Sequence, residues 1–129
     1  MGLFDALNIS GTGLSAERLR MDVTAENLAN AQTPGFRRKQ VVVQEAFDAS
    51  LGKAMGVEAT GIAQDSAPNR RVYNPSSPDA DAKGYVSMPN VNPVTEMVDL
   101  IDASRAYEAN VTAMQTAKQM FTKTLELLR

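Results

Sequence analysis

The chain has 129 residues, of which 43% are apolar, 22% charged and 5% aromatic, and its net charge at pH 7 is −2. That length points to one domain, or to a helical body with a small insert, and the near-balanced charge lacks the basic excess of a nucleic-acid-binding face. Cys, His and Trp are absent, which excludes disulfides, thiolate nucleophiles and Cys- or His-based metal sites and removes the commonest general base.

Residues 3 to about 30 read as one helix. Two glycines interrupt it at Ser10-Gly11-Thr12-Gly13, and each costs about 1 kcal/mol relative to Ala. The register nevertheless runs through them, because Leu7, Leu14, Met21 and Leu28 stay seven apart. Small residues there allow a neighbouring backbone to come close. Thr33-Pro34-Gly35-Phe36 then places Pro at the second and Gly at the third position of a turn, which predicts type II. Arg37 to Asp48 contains Val41, Val42 and Val43 in succession and reads as a strand. Residues 49–56 read as a loop and 57–64 as a weakly alternating strand. Val72-Tyr73 and Tyr85-Val86 offer two further short strands around a Pro/Ser/Asp loop at 74–81. Helix resumes at Pro93 or Val94 with Glu96 and Asp99 near its positive end. Continued to Arg129 it is roughly 50 Å long.

The predicted fold is therefore mainly α with a small β insert. Residues 1–36 with 90–129 form a terminal helical domain, whose two helices pack as an antiparallel coiled-coil-like pair. Residues 37–89 form a small β-rich insert between them. Both helices carry apolar residues at three-four spacing, the pattern of a narrow seam that meets other helices. The N-terminal series is Phe4, Leu7, Gly11, Leu14, Arg18, Met21, Ala25, Leu28. The C-terminal series is Met97, Leu100, Ser104, Tyr107, Val111, Met114, Lys118, Phe121, Leu125, Leu128. With so few aromatics a monomer buries little apolar area, so stability gained by assembly is expected.

Chemistry finds little support. Gly11-Thr12-Gly13-Leu14-Ser15-Ala16 fits a dinucleotide pattern, but that pattern has meaning only between a strand and a helix. Asp79 to Gly84 resembles the start of a calcium loop, yet positions 5 and 12 hold Lys83 and Asn90 instead of oxygen ligands of the required kind. The pairs Glu96/Asp99 and Asp99/Asp102 share a helix face, and their ordinary role is to complement the helix dipole. Arg37-Arg38-Lys39 and Arg70-Arg71 read as solvated or rim charges. No catalytic, cofactor or metal residue is expected. No apolar run approaches the roughly 20 residues of a membrane span. The start, Met1-Gly2-Leu3-Phe4-Asp5-Ala6, lacks the basic n-region of a cleavable secretory signal.

Asn27-Leu28-Ala29-Asn30-Ala31-Gln32-Thr33-Pro34-Gly35-Phe36 closely resembles the N-terminal signature of flagellar rod and hook proteins. The end matches too: Pro89-Asn90-Val91-Asn92, then Glu96 to Ile101, then Ser104-Arg105-Ala106-Tyr107-Glu108-Ala109-Asn110. Relatives often carry a few extra residues before the basic stretch, where this chain passes directly through Thr33-Pro34-Gly35-Phe36. The resemblance covers nearly the whole chain. It implies a structural subunit of the bacterial flagellar basal-body rod in the periplasm, exported by the type III apparatus without signal cleavage. It also implies polymerisation into a helical tube that transmits torque. The implied partners are further copies of the chain, other rod proteins, the hook-basal-body junction protein and the export apparatus, with no nucleic acid, no membrane insertion and no cofactor. The assembly interface then falls on Leu7, Leu14, Met21, Asn27, Leu28, Asn30, Gly35, Phe36, Met97, Leu100, Tyr107, Val111, Met114, Phe121 and Leu125. A soluble coiled-coil adaptor or export chaperone is the alternative reading, and a hydrolase using Asp99 and Asp102 a third.

Overall fold

A computed structural model describes residues 3–48 and 53–127. Along the chain run α1 (Leu3–Ala29), β1 (Lys39–Asp48), β2 (Lys53–Gln64), β3 (Arg70–Tyr73), β4 (Tyr85–Met88) and α2 (Pro93–Leu127). The two helices are antiparallel neighbours: Gly11 lies opposite Met114, Gly13 opposite Asn110, and Asn27 opposite Glu96. The strands form two separate two-stranded antiparallel sheets, β1–β2 and β3–β4. The fold is mainly helical with a small β insert, as the spacing predicts.

α1 passes through its glycines unbroken, and the reason lies in α2. A Cβ on Gly11 would sit 3.6 Å from Met114 Cε, and one on Gly13 would sit 3.1 Å from Asn110 Nδ2. Both glycines thus face α2, and at Gly13 the α2 side chain comes close enough that a Cβ would crowd it. α2 starts cleanly because the Asn92 side chain accepts the Val94 amide at 3.0 Å, Pro93 supplies the first-turn φ, and the Asn92 carbonyl accepts the Glu96 amide. Its 35 residues make it about 52 Å long. Residues 128–129, including the predicted seam position Leu128, lie outside the described residues.

Between the helices, the turn at Thr33–Phe36 has the predicted form. Gly35 has φ +78° and the Phe36 amide donates to the Thr33 carbonyl at 3.2 Å. The Gly35 amide also donates to Ser87 O at 2.9 Å, which joins the turn to β4. In the β1–β2 hairpin, β1 starts two residues later than the strand expected at 37–48, and β2, with 12 residues, is longer than the 57–64 expected. Residues 53–56, read from the sequence as loop, belong to β2, while 49–52 fall outside the described residues. Two register shifts carry the longer ladder, between Val42 and Val43 and between Ala46 and Phe47. Gly56 sits beside the second with φ +115°. Composition alone marks this Gly-punctuated stretch as loop, but bulges let such a stretch stay paired while the strand bends.

Gly56 also sets how the hairpin meets α1. A Cβ there would collide with Thr12 Oγ1 and come within 3.3 Å of Ile9 Cα. Thr12 Oγ1 accepts the Val57 amide at 3.3 Å and donates to its own helix at Ile9 O. Helix and hairpin thus touch backbone to backbone.

The apolar core is thin. Among the described residues the buried apolar positions are Ala16, Val23, Ala31, Val86 and Ala103, none larger than Val. The largest fully buried side chains are Glu96, Asn27 and Pro89. The surface is correspondingly large: 9,022 Å², where a globular monomer of 13.9 kDa would show about 6,700 Å².

Candidate assembly interface

A buried polar junction ties α1, the start of β1 and α2 together. Asn27, on the last inward turn of α1, is 1% exposed and clamps the start of β1 in both directions. Its Nδ2 donates to Lys39 O at 2.8 Å and its Oδ1 accepts the Lys39 amide at 2.9 Å. The same Nδ2 donates to Glu96 Oε2 at 3.2 Å. Glu96, also 1% exposed, accepts from Arg38 Nε at 2.6 Å. Arg38 reaches on to Asp65 at 3.4 Å and Asp99 at 3.9 Å. Three elements distant in sequence meet through one amide, one guanidinium and one carboxylate.

The electrostatics agree with that geometry. Burial opposes the charge of Arg38, but the hydrogen bond and charge of Glu96, followed by those of Asp65, hold the guanidinium above its ordinary value. The Ala67 amide, against some desolvation and with help from Gln40 and Arg38, holds the Asp65 carboxyl below the usual range. A buried pair of this kind adds little net stability over an apolar substitute, yet removing one member leaves a charge stranded. It specifies one arrangement of the helices.

The second asparagine of the turn acts locally. Asn30 Nδ2 donates to Glu26 O at 2.9 Å, covering a helix-end carbonyl, and Asn30 Oδ1 accepts from the Thr33 hydroxyl. Asn27 therefore locks tertiary structure, and Asn30 shapes the exit from α1.

The remaining predicted interface residues divide by burial. Leu7, Leu14, Met21 and Leu28 on α1 are half-buried, as are Leu100, Tyr107, Val111 and Met114 on α2. These positions are neither fully covered nor fully open within the single chain. Phe36 is half-buried and Gly35 exposed. Met97, Phe121 and Leu125 are 53%, 37% and 52% exposed. The α1-facing side of α2 begins one residue earlier, at Glu96, and passes Ala103, so Met97 turns outward. Further apolar surface is open at Val94, Val98, Ile101, Met120 and Leu127 on α2 and at Val42, Val43, Phe47 and Ile62 on the hairpin. A monomer normally exposes large apolar residues singly and not in runs along one helix.

Reading the sequence missed Arg38 and Glu96 as partners. Arg38 appeared only within a basic cluster, and Glu96 only as a dipole-complementing charge. The apolar spacing gave no signal for the pair, because it puts Met97 and not Glu96 on the inward stripe.

The other candidate chemistries take structural roles. Gly11 to Ala16 lies inside α1, with no strand before it. In the Asp79–Gly84 stretch, the Asp81 carboxylate accepts the amides of Lys83 and Tyr85 at 2.8 and 2.9 Å and pairs with Arg71. The Tyr85 amide above all, opposed by some desolvation and aided by Lys83 and Arg71, holds this carboxyl below its usual range. Asp81 is thereby a turn-forming acceptor. Arg71 also lies over the Tyr85 ring at 4.8 Å, and Tyr85 meets Tyr73 edge-on at 5.3 Å. Among the described residues no group of acidic side chains is placed to hold a metal, and no helix is long and apolar enough to cross a membrane.

Comparison with known proteins points one way. Residues 7–37 match the family described as flagella basal body rod protein, and residues 82–127 match flagellar basal body rod FlgEFG protein C-terminal. The chain is 43% identical over 148 residues to flagellar basal-body rod protein FlgC of Bacillus subtilis (strain 168), covering 98% of this chain and 99% of that one. It is 40% identical over 153 residues to FlgC of Borreliella burgdorferi, with coverage of 100% and 99%. Against FlgC of Salmonella typhimurium the identity is 44% over 134 residues, with 98% of each chain covered.

Proposed function

The chain belongs to the FlgC family of flagellar basal-body rod proteins, and on that premise we propose that it builds the proximal part of the rod, polymerising into a helical tube that carries torque across the periplasm. Its role is that of a structural subunit. The helical domain of residues 1–36 and 90–129 supplies the axial core of the tube, and residues 37–89 sit as an insert on it. The half-buried series Leu7, Leu14, Met21, Leu28 and Leu100, Tyr107, Val111, Met114 supplies contacts between subunits, with Met97, Phe121 and Leu125 at the exposed ends. Partners are further copies, other rod proteins and the hook-basal-body junction protein. The chain reaches them through the type III export apparatus with no signal peptide removed, and it is not an enzyme.

One observation carries this reading: the chain shows about 2,300 Å² more surface than a globular monomer of its mass, with large apolar side chains exposed along α2 and on the strands. That exceeds the roughly 800 Å² per partner of a standard protein interface, so the subunit has surface for several neighbours. Contacts between unlike patches that do not close a ring generate a helical assembly, and packed parallel helices resist shear.

Leu28→Asp tests the reading. It puts a charge into a half-buried position beside the Asn27 junction, where an unpaired carboxylate is strongly disfavoured. Basal bodies imaged from cells carrying it should lack rods, while Leu28→Ile should support them. Normal rods and motility with Leu28→Asp would overturn the assignment, as would sedimentation of the native chain as a closed dimer that is stable on dilution.

A further inference from the structure

The geometry points to the outer edge of β3 as a seat for an extended, carboxylate-bearing segment of a second protein, added to the β3–β4 sheet as a third strand. The phase of the ladder identifies the free backbone groups. The Asn74 amide donates to Gly84 O at 2.9 Å, one step beyond the facing pair Tyr73 and Tyr85. In an antiparallel ladder this makes Val72 and Val86 the pair that exchanges hydrogen bonds, so Arg71 and Tyr73 on β3, like Tyr85 and Ser87 on β4, turn their amides and carbonyls outward. On β4 those groups find partners within the chain. The Gly35 amide donates to Ser87 O at 2.9 Å, and Asp81 both donates its amide to Tyr85 O at 2.8 Å and accepts the Tyr85 amide at 2.9 Å. On β3 the outward amides and carbonyls of Arg71 and Tyr73 have no partner among the described residues. β3 meets no helix or strand except β4, and all 4 of its residues are exposed. β1 and β2 differ, because α1 sets Asn27 against the backbone of one at Lys39 and Thr12 against the other at Val57.

The side chains along this edge define what fits it. Arg70 is exposed and has no ion pair among the described residues, and the same holds for Arg37. Each directly follows a member of the hydrogen bond from Asn69 Nδ2 to Phe36 O, 2.9 Å long. Arg71 is turned the other way, over the Tyr85 ring to Asp81. Arginines on an edge discourage indiscriminate pairing. Two copies of this edge would set Arg70 and Arg71 against their equivalents, whereas a strand with a carboxylate facing Arg70 meets an unpaired cation. Val72 and Tyr73, 39% and 65% exposed, offer apolar contact on opposite faces. The Tyr73 ring is fixed for this: Tyr85 meets it edge-on at 5.3 Å, and a Cβ on Gly84 would sit 3.0 Å from its Cε2. The complementary antiparallel segment is apolar opposite Tyr73 and Val72 and acidic opposite Arg70, with main-chain bonds to Arg71 and Tyr73.

The peptide acetyl-Val-Val-Thr-Glu-amide, titrated into the whole chain, tests this by backbone amide NMR. The Arg71 and Tyr73 amides should exchange fast in the free chain, then shift and become protected as peptide is added. Lys in place of the peptide's Glu should weaken binding about fivefold, and Arg70→Glu should reverse that preference. Methylating the first and third peptide nitrogens, which face β3, should abolish binding. Methylating the second, which faces away, should not. Absence of binding, equal binding of the Glu and Lys peptides, indifference to methylation of the first and third nitrogens, or protection of both amides in the free chain would each overturn the inference. Shifts at Arg71 and Tyr73 that grow with the concentration of the chain alone would overturn it in favour of pairing between copies. Each of these failures would leave the rod assignment standing, since that stands or falls with Leu28→Asp.

Discussion

Glu96→Ala should be among the most damaging single substitutions in this chain, although no ligand or substrate touches it. The wild-type carboxylate is 1% exposed, accepts from Arg38 Nε at 2.6 Å and from Asn27 Nδ2 at 3.2 Å. Removing one member of a buried ion pair costs roughly 3–5 kcal/mol when the other is left without compensation. Arg38 keeps part of its compensation, from Asp65 at 3.4 Å, Asp99 at 3.9 Å and a side chain still 23% exposed. The expected loss is therefore about 2–3 kcal/mol, including the unmade bond from Asn27. Urea unfolding of the purified chain followed by helical circular dichroism measures it, and exchange of the Lys39 amide, held by Asn27, should rise in step. Glu96→Gln keeps an acceptor and should lose about half as much. Replacing both partners, Arg38→Met with Glu96→Leu, should recover most of the loss, because apolar residues of similar volume often substitute for a buried pair without cost. A Glu96→Ala loss below about 0.5 kcal/mol, the range of an ordinary surface change, would refute the argument.

Three further outcomes follow from positions already described. Gly56→Ala should cost about 2 kcal/mol or more, from a disfavoured φ and the collision with Thr12; an unchanged Val57 amide exchange rate would contradict it. Gly11→Ala should stabilise α1 by about 0.5–1 kcal/mol, because the nearest atom, Met114 Cε at 3.6 Å, is an ordinary contact; a lower melting temperature would show the helices closer than that. Asp65 and Asp81 have depressed folded-state pKa values, so their contribution is present above the unfolded value of about 3.9 and lost as pH falls through the folded one. An Asp65→Asn/Asp81→Asn variant should accordingly show a shallower stability loss below about pH 4, and parallel acid-unfolding curves would count against it.

Much of the architecture was legible because it is local. The heptad spacing carried α1 through Gly11 and Gly13, the Pro34-Gly35 pair named the turn, and the Val run located β1. The extent of β2 was not legible, since Gly56 at a bulge looks like Gly in a loop until its partner strand is known. Nor was the junction. Glu96 and Arg38 stand 58 apart in the chain, and periodicity carries no record of which cation meets which carboxylate. The inward face of α2 also begins at Glu96 and not at neighbouring Met97, a rotation of about one residue. Apolar patterning alone would favour Met97, because it weighs a carboxylate as solvent-facing and takes no account of its partner.

The thin core has a consequence for how the chain tolerates change over generations. Trimming Val23 or Val86 to Ala removes only two methyl groups, and the other buried apolar positions, Ala16, Ala31 and Ala103, have almost no side chain to lose. Inherited variation at the apolar positions should therefore drift freely in size, within the room the glycines leave. The buried pair of Arg38 and Glu96 has less latitude, since losing Glu96 alone leaves Arg38 short of its nearest partner and losing Arg38 alone leaves a carboxylate buried, so the two should change together. In this subunit, lineage should be written in the hydrophobic residues and identity in the buried hydrophilic ones.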